Sequence, residues 1–139
     1  MDEKKQTEQF DSESYRYISS YLNDGGRRDM LIPQCLNSDN IQSILDVGCG
    51  NGEFLNAWKH HFSAKIGVGV EPSSEGVKLL QNKWSSEKGL TFQNAFAHHL
   101  PFDNDKFDLV TTWSVLHWIG RNEYLQSIGE MIRVCSKYL

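Results

Sequence analysis

The run Ile44-Leu45-Asp46-Val47-Gly48-Cys49-Gly50-Asn51-Gly52-Glu53-Phe54 constrains this chain more than any other stretch. An apolar strand ends in three glycines at alternate positions and passes at once into a helical pattern. Glycine has no β-carbon, so the backbone can turn sharply there and a ligand can approach it closely. A second apolar run, Ile66-Gly67-Val68-Gly69-Val70, ends in Glu71. A glycine loop and a carboxylate thus stand at the ends of two consecutive strands, an arrangement suited to a ligand that contains a nucleoside.

The pattern around this loop alternates between strand and helix. Ser43–Gly48 reads as strand one, Gly52–Phe62 as a helix, Ala64–Val70 as strand two and Ser73–Trp84 as a helix. Leu90–Gln93 is a short strand three, Phe107–Thr112 is strand four, and Glu123–Val134 is a helix with Tyr124, Ile128, Met131 and Ile132 on one face. Strands that alternate with helices of about a dozen residues imply crossover connections. The fold class expected is α/β, a Rossmann-like doubly wound parallel sheet with helices on both faces.

The 139 residues form one domain by length. Residues 1–10 read as a disordered polar tail, 11–40 as N-terminal helices and 41–139 as the ligand-binding core, with Phe10, Tyr15, Ile18, Tyr21 and Leu22 at helical intervals. Asp24-Gly25-Gly26 breaks that pattern before a second helical segment from Arg27 to Leu36. A net charge of −4 offers no broad basic surface for a duplex, so no nucleic-acid partner is expected. The charged N-terminus has no signal core and no stretch reaches the length of a membrane span, so no membrane partner and a cytoplasmic location are expected. Cys35, Cys49 and Cys135 are widely separated and read as reduced thiols. His60-His61 and His98-His99 are adjacent pairs that would not converge on one ion, and no metal site is expected.

Glycine spacing narrows the ligand. A dinucleotide fingerprint G-x-G-x-x-G would need glycine at position 53, which is Glu53, whereas the chain reads G-x-G-x-G with Asp46 two residues before it. That carboxylate repels a pyrophosphate and suits a cationic group such as an ammonium. A nicotinamide-dependent oxidoreductase is disfavoured on both counts. Glu71 can accept two hydrogen bonds from a ribose diol; its alternative role is a solvated acid opening a helix whose first turn holds Pro72.

With these residues the chain resembles the class I S-adenosylmethionine-dependent methyltransferases of small-molecule type. The Asp-Val-Gly-Cys-Gly motif, Leu100-Pro101-Phe102 followed by Phe107-Asp108-Leu109-Val110, and Glu130-Met131-Ile132-Arg133-Val134 carry the likeness over roughly residues 44 to 137. The resemblance implies that Asp46, Gly48 and Gly50 border the methionine part of S-adenosylmethionine and that Glu71 holds the ribose hydroxyls. It implies a wider cofactor-binding set of Arg28, Cys49, Gly52, Pro72, Asn94, Ala95, Phe96, Ala97, Trp113 and Ser114, with S-adenosylhomocysteine as product. Phe96 stands where many relatives carry a short acidic residue for the adenine amino group. Its ring is either an adenine neighbour or core packing, and the amino-group bond would then come from Asn94 or a backbone carbonyl. Arg27 and Arg28 resemble arginines that pair with the cofactor carboxylate, or else form a solvated helix end.

Methyl transfer is an in-line displacement, so the protein chiefly supplies proximity, alignment and at times a base. The small-molecule methyl acceptor is expected beyond the carboxyl ends of strands one and four, against Trp113-Ser114-Val115-Leu116-His117-Trp118. Trp113 or Trp118 could face the sulfonium or serve as packing, and His117 is a candidate catalytic base or a structural histidine. Tyr15, Arg16 and Tyr17 belong either to a lid over the acceptor or to a helix docked on the sheet. Family domains continue past the last helix into three further strands, so the sheet is expected to be truncated after strand four and its following helix. Three explanations remain for the bare apolar edge this would leave: a fragment of a longer protein, a homodimer through the strand-four edge, or a smaller fold. As a fragment the chain is expected to bind cofactor without turnover; a further alternative is a non-catalytic module that binds cofactor or completes its sheet with a partner.

Overall fold

The computed structural model describes Leu36 and residues 40–139. Within them five strands, β1 (Ser43–Val47), β2 (Ile66–Glu71), β3 (Leu90–Asn94), β4 (Phe107–Thr112) and β5 (Cys135–Tyr138), form one sheet in the order β3-β2-β1-β4-β5. Every neighbouring pair is parallel. Helices α1 (Glu53–His61), α2 (Ser74–Lys83) and α3 (Tyr124–Val134) connect them, and a 3-10 turn spans Leu116–Trp118. The sequence after β1 runs first to one side of it and then, at β4, to the other. That change of direction leaves a crevice at the carboxyl ends of β1 and β4.

The α/β expectation holds, with helices on both faces. One face buries Ile44 and Leu109 with Phe54, Leu55 and Trp58 of α1 and Val77 and Leu80 of α2. The other buries Leu45, Val47, Val68, Val70 and Val110 with Met131 and Val134 of α3. Adjacent residues of β1 thus point to opposite faces, as the pleat requires, and both faces are apolar because both are covered. Local signals set the helix starts. Ser73 caps α2, its hydroxyl accepting from the Gly76 N–H at 2.9 Å, and the Asn51 side-chain oxygen accepts from the Glu53 N–H at 3.1 Å before α1.

Two expectations need correcting. The sheet does not stop at strand four, because Cys135–Tyr138 turns straight out of α3 and pairs along β4. The edge expected to be bare, and expected to be free for a second copy, is occupied by this strand. The buried face of α3 consists of Ser127, Met131 and Val134, while Ile132 is 58% exposed and Tyr124 is exposed at the helix start. Ile132 lies about 100° around the helix from Met131, so both cannot face the sheet. Ser127 takes the inward place because its hydroxyl donates to the Glu123 carbonyl at 2.8 Å and so carries no unmet polar group inward.

Two charged clamps tie the sheet to its connections. Asp108 of β4 accepts from the Gln42 N–H at 2.7 Å and the Ser43 N–H at 3.2 Å, and its other oxygen meets Lys137 of β5 at 3.1 Å. Arg133 of α3 binds Glu130 at 2.6 Å and donates to the carbonyls of Leu100 and Phe102 at 3.0 and 2.7 Å; Glu130 accepts from the Leu100 N–H at 2.8 Å. The Leu-Pro-Phe stretch is thereby fastened to the last helix.

Both carboxylates titrate below their ordinary values. Burial alone would raise Asp108, but the Gln42 N–H, the Lys137 ammonium and the Ser43 N–H together outweigh it. The Arg133 hydrogen bond lowers Glu130 against the opposing effect of burial. A carboxylate whose folded pKa is depressed stabilises the fold fully above its unfolded pKa, and that contribution is lost as pH falls through the folded value. Urea midpoints are expected to drop between pH 6 and pH 3, with a shallower drop in an Asp108→Asn, Glu130→Gln double variant. An equal drop in both proteins would show that these clamps do not carry the acid sensitivity.

Candidate functional site

The crevice at the ends of β1, β2 and β4 is built around the glycine loop. Gly48, Gly50 and Gly52 all have positive φ, at 72°, 53° and 76°, a conformation that side chains with a β-carbon adopt only under strain. The Gly48 and Cys49 N–H groups both donate to the Val70 carbonyl, at 2.8 and 3.1 Å. This anchors the loop to the end of β2 and brings Asp46 and Glu71 to its two sides.

Asp46 is buried, and one of its oxygens accepts from the Thr111 hydroxyl of β4 at 3.0 Å. Glu71 is also buried, with an oxygen 3.4 Å from the Gly50 N–H. Between them sits Cys49, whose thiol pKa is pushed well up by burial and then by the Glu71 and Asp46 carboxylates. The thiol is therefore protonated and unreactive. It packs on β2 where a β-carbon at Gly69 would meet its sulfur at 2.6 Å.

Protein neighbours, as well as any ligand, account for two of the loop's glycines. A β-carbon at Gly48 would overlap the Val115 side chain, and one at Gly52 would meet the Trp84 ring nitrogen at 2.6 Å and Phe92 at 3.1 Å. Trp84, just past α2, donates from that ring nitrogen to the Asn51 carbonyl at 3.0 Å. Lys83 pairs with Glu53 and lies 4.6 Å over the Trp84 ring. Val115, Trp84, Lys83 and Thr111 hold the loop in place; of these the sequence singles out Val115 alone, and as lining for the acceptor rather than as a contact of the loop. Each lies more than 25 residues away along the chain, and nothing in its local pattern marks it as a contact of the loop.

The remaining expected residues fall as follows. Asn94 donates its side-chain amide to the Glu71 carbonyl at 2.9 Å, so this nitrogen fastens β3 to β2. Ala95 and Ala97 pack against the core cluster that includes Met131 and Val134 of α3, and Pro72 lies half-buried beside Glu71. Phe96 belongs to neither core cluster; it stacks on His98 at 5.3 Å in the loop after β3. Trp113 is 50% exposed and stacks on Phe54 of α1 at 5.8 Å, which places it beside the start of that helix. Ser114 takes a positive φ of 59°, and His117 and Trp118 are exposed in the 3-10 turn. Arg27, Arg28, Tyr15, Arg16, Tyr17 and Cys35 lie outside the described residues.

Next to the loop a cleft of about 410 Å³ opens, lined by Thr112, Ser114, Val115, Leu116, His117 and Tyr124. Val115 belongs to both places, as a wall of the cleft and as the side chain over Gly48. Among the described residues no group of histidines, cysteines and carboxylates is arranged to hold a metal ion, and no helix is long and apolar enough to cross a membrane.

Residues 44–137 match the family described as "Methyltransferase domain". The chain is 30% identical over 91 residues to a phthiotriol/phenolphthiotriol dimycocerosates methyltransferase of Mycobacterium leprae, an alignment covering 66% of this chain and 33% of that protein. It is similar in fold to the crystal structure of YcgJ from Bacillus subtilis, with a TM-score of 0.68 and 22% identity over 78% of this chain and 46% of that one. It is also similar to phosphoethanolamine N-methyltransferase 1 of Haemonchus contortus, solved with phosphoethanolamine and S-adenosylhomocysteine. There the TM-score is 0.71 at 17% identity, over 97% of this chain and 31% of that one. The chain spans about a third of the length of the curated relatives it matches, 33% and 38% for the first two.

Proposed function

The chain belongs to the class I S-adenosylmethionine-dependent methyltransferases, and from that membership we propose that it binds S-adenosylmethionine at the glycine loop and serves methyl transfer to a small-molecule acceptor. The observation that carries this reading is the pair of buried carboxylates, Asp46 and Glu71, at neighbouring strand ends on either side of a loop of positive-φ glycines.

The residues present fit the cofactor. Among its polar parts are an amino acid with a cationic ammonium and a ribose with two hydroxyl donors, and a buried carboxylate lies on each side of the loop where these would sit. Asp46 would hold the ammonium and Glu71 the ribose diol, while the loop backbone turns aside at Gly50. When bound, the cofactor supplies a methyl group on a cationic sulfur. The chain's part is to hold both reactants in line and keep water out. Trp113, on Phe54 beside the start of α1, would wall the sulfur side. His117 carries the imidazole of the neighbouring cleft and is the group assigned to accept the acceptor's proton.

Calorimetric titration with S-adenosylmethionine and S-adenosylhomocysteine tests the reading. One site is expected for each ligand, and Asp46→Ala should weaken both. Absence of binding, or binding indifferent to Asp46→Ala, would sink it. A second reading, a unit that binds cofactor but turns nothing over alone, is supported by the chain's matching only a third of its relatives' length. Binding without methyl transfer to any acceptor is its signature.

A further inference from the structure

The cleft beside the glycine loop has a chemistry of its own. Its lining is two aliphatic side chains, Val115 and Leu116, two ring side chains, His117 and Tyr124, and two small hydroxyl side chains, Thr112 and Ser114. Among the described residues that line it there is no lysine, arginine, aspartate or glutamate. The Thr112 hydroxyl is already committed, donating to the Val47 carbonyl at 3.2 Å. At about 410 Å³ the cleft lies within the range of small-molecule pockets, roughly 300–1,000 Å³. Its position is set by the fold, because Val115 closes over Gly48 and so makes the cleft and the glycine loop share a wall.

From this lining we infer that the cleft takes an uncharged, largely apolar acceptor, with its few polar atoms met by Ser114, His117 and Tyr124. The inference rests on the methyltransferase reading for the word acceptor, but the selectivity it claims belongs to the cleft alone. A carboxylate, phosphate or ammonium seated against this lining gives up part of its hydration and meets no opposite fixed charge among the described residues in return. An apolar ring instead gains by the surface it removes from water against Val115, Leu116 and Tyr124. Discrimination of tenfold or more between a neutral probe and its charged analogues follows.

Three probes of one shape separate the cases: 2-naphthol, 2-naphthoate and 2-naphthylmethylammonium, titrated at neutral pH by ligand-observed NMR. They are measured with and without saturating S-adenosylhomocysteine. 2-Naphthol is expected to bind at least tenfold more tightly than either charged analogue. Tyr124→Glu places a carboxylate at an exposed helix start, where the fold tolerates it, and His117→Glu does the same in the 3-10 turn. At least one of these variants, folded by circular dichroism, should weaken 2-naphthol at least tenfold, with S-adenosylhomocysteine affinity unchanged in Tyr124→Glu. Equal or tighter binding of a charged analogue overturns the inference, and so does 2-naphthol affinity within threefold of the parent in both variants. Failure of S-adenosylhomocysteine to bind while the naphthol preference holds would instead count against the methyltransferase reading alone.

Discussion

Glu71→Ala is expected to lower the affinity for S-adenosylmethionine about 100-fold, while the protein stays folded by circular dichroism. A hydrogen bond to a charged group contributes about 1.5–3 kcal/mol, and each 1.4 kcal/mol is a factor of ten in affinity. Two such bonds from a ribose diol to one buried carboxylate therefore carry about two decades or more. Glu71 is well placed for this at the last position of β2, with its backbone already engaged. Its carbonyl accepts from the Asn94 amide at 2.9 Å and the Ala95 N–H at 3.3 Å, so the chain path does not depend on the side chain. Glu71→Gln keeps one good acceptor and should lose about tenfold. Calorimetric titration of the three proteins gives the ranking, and an Ala variant within threefold of the parent would remove Glu71 from the site.

Gly48→Ala attacks the other half of the arrangement and should cost stability as well as binding. Two costs add at this position. A left-handed backbone costs an L-residue about 1–2 kcal/mol, and forcing a methyl group into filled space costs typically about 1–3 kcal/mol. The space at Gly48 is filled by Val115, with φ at 72°. A loss of roughly 2–5 kcal/mol is expected, a large part of what holds a domain of this size together. Val115→Ala in the same chain opens the space but leaves the backbone strain. Urea denaturation of the single and double variants should therefore show partial rescue, with the left-handed part remaining. Full rescue would mean that the backbone strain is absent; no rescue would mean that Val115 is not what Gly48 makes room for.

The coupling between Gly48 and Val115 also shows where sequence reading stopped short. The three glycines were legible as a tight turn beside a ligand, because their spacing after an apolar strand is a local pattern. Their reasons were legible only in part. Gly52 is glycine because the Trp84 ring and Phe92 lie against it, and Gly48 because Val115 does. These contacts join residues that are 32 to 67 positions apart, and no window along the chain contains both partners. The same holds for Arg133 and Glu130. Their spacing on α3 is a local ion pair, but the function of that pair is to bind the Leu100 and Phe102 backbone some 30 residues earlier. Helix α3 shows a different failure. Its apolar residues are numerous enough to suggest more than one face, and Ile132 was placed inward although Ser127 holds that position.

By itself, the sequence determined the order of the first four strands and their helices, the parallel α/β class, the sharp turn at Gly48–Gly52 and the carboxylates at the two strand ends. All of these are set by hydrophobic period and glycine placement within about a dozen residues, where backbone sterics and burial act locally. Only the tertiary structure decided that β5 covers the edge of β4, that Cys49 is a shielded thiol beside two carboxylates, and that a cleft opens against Val115. Those outcomes depend on which distant side chains meet once the sheet has formed. Close packing makes such meetings specific, and no single segment of the chain contains the information for them.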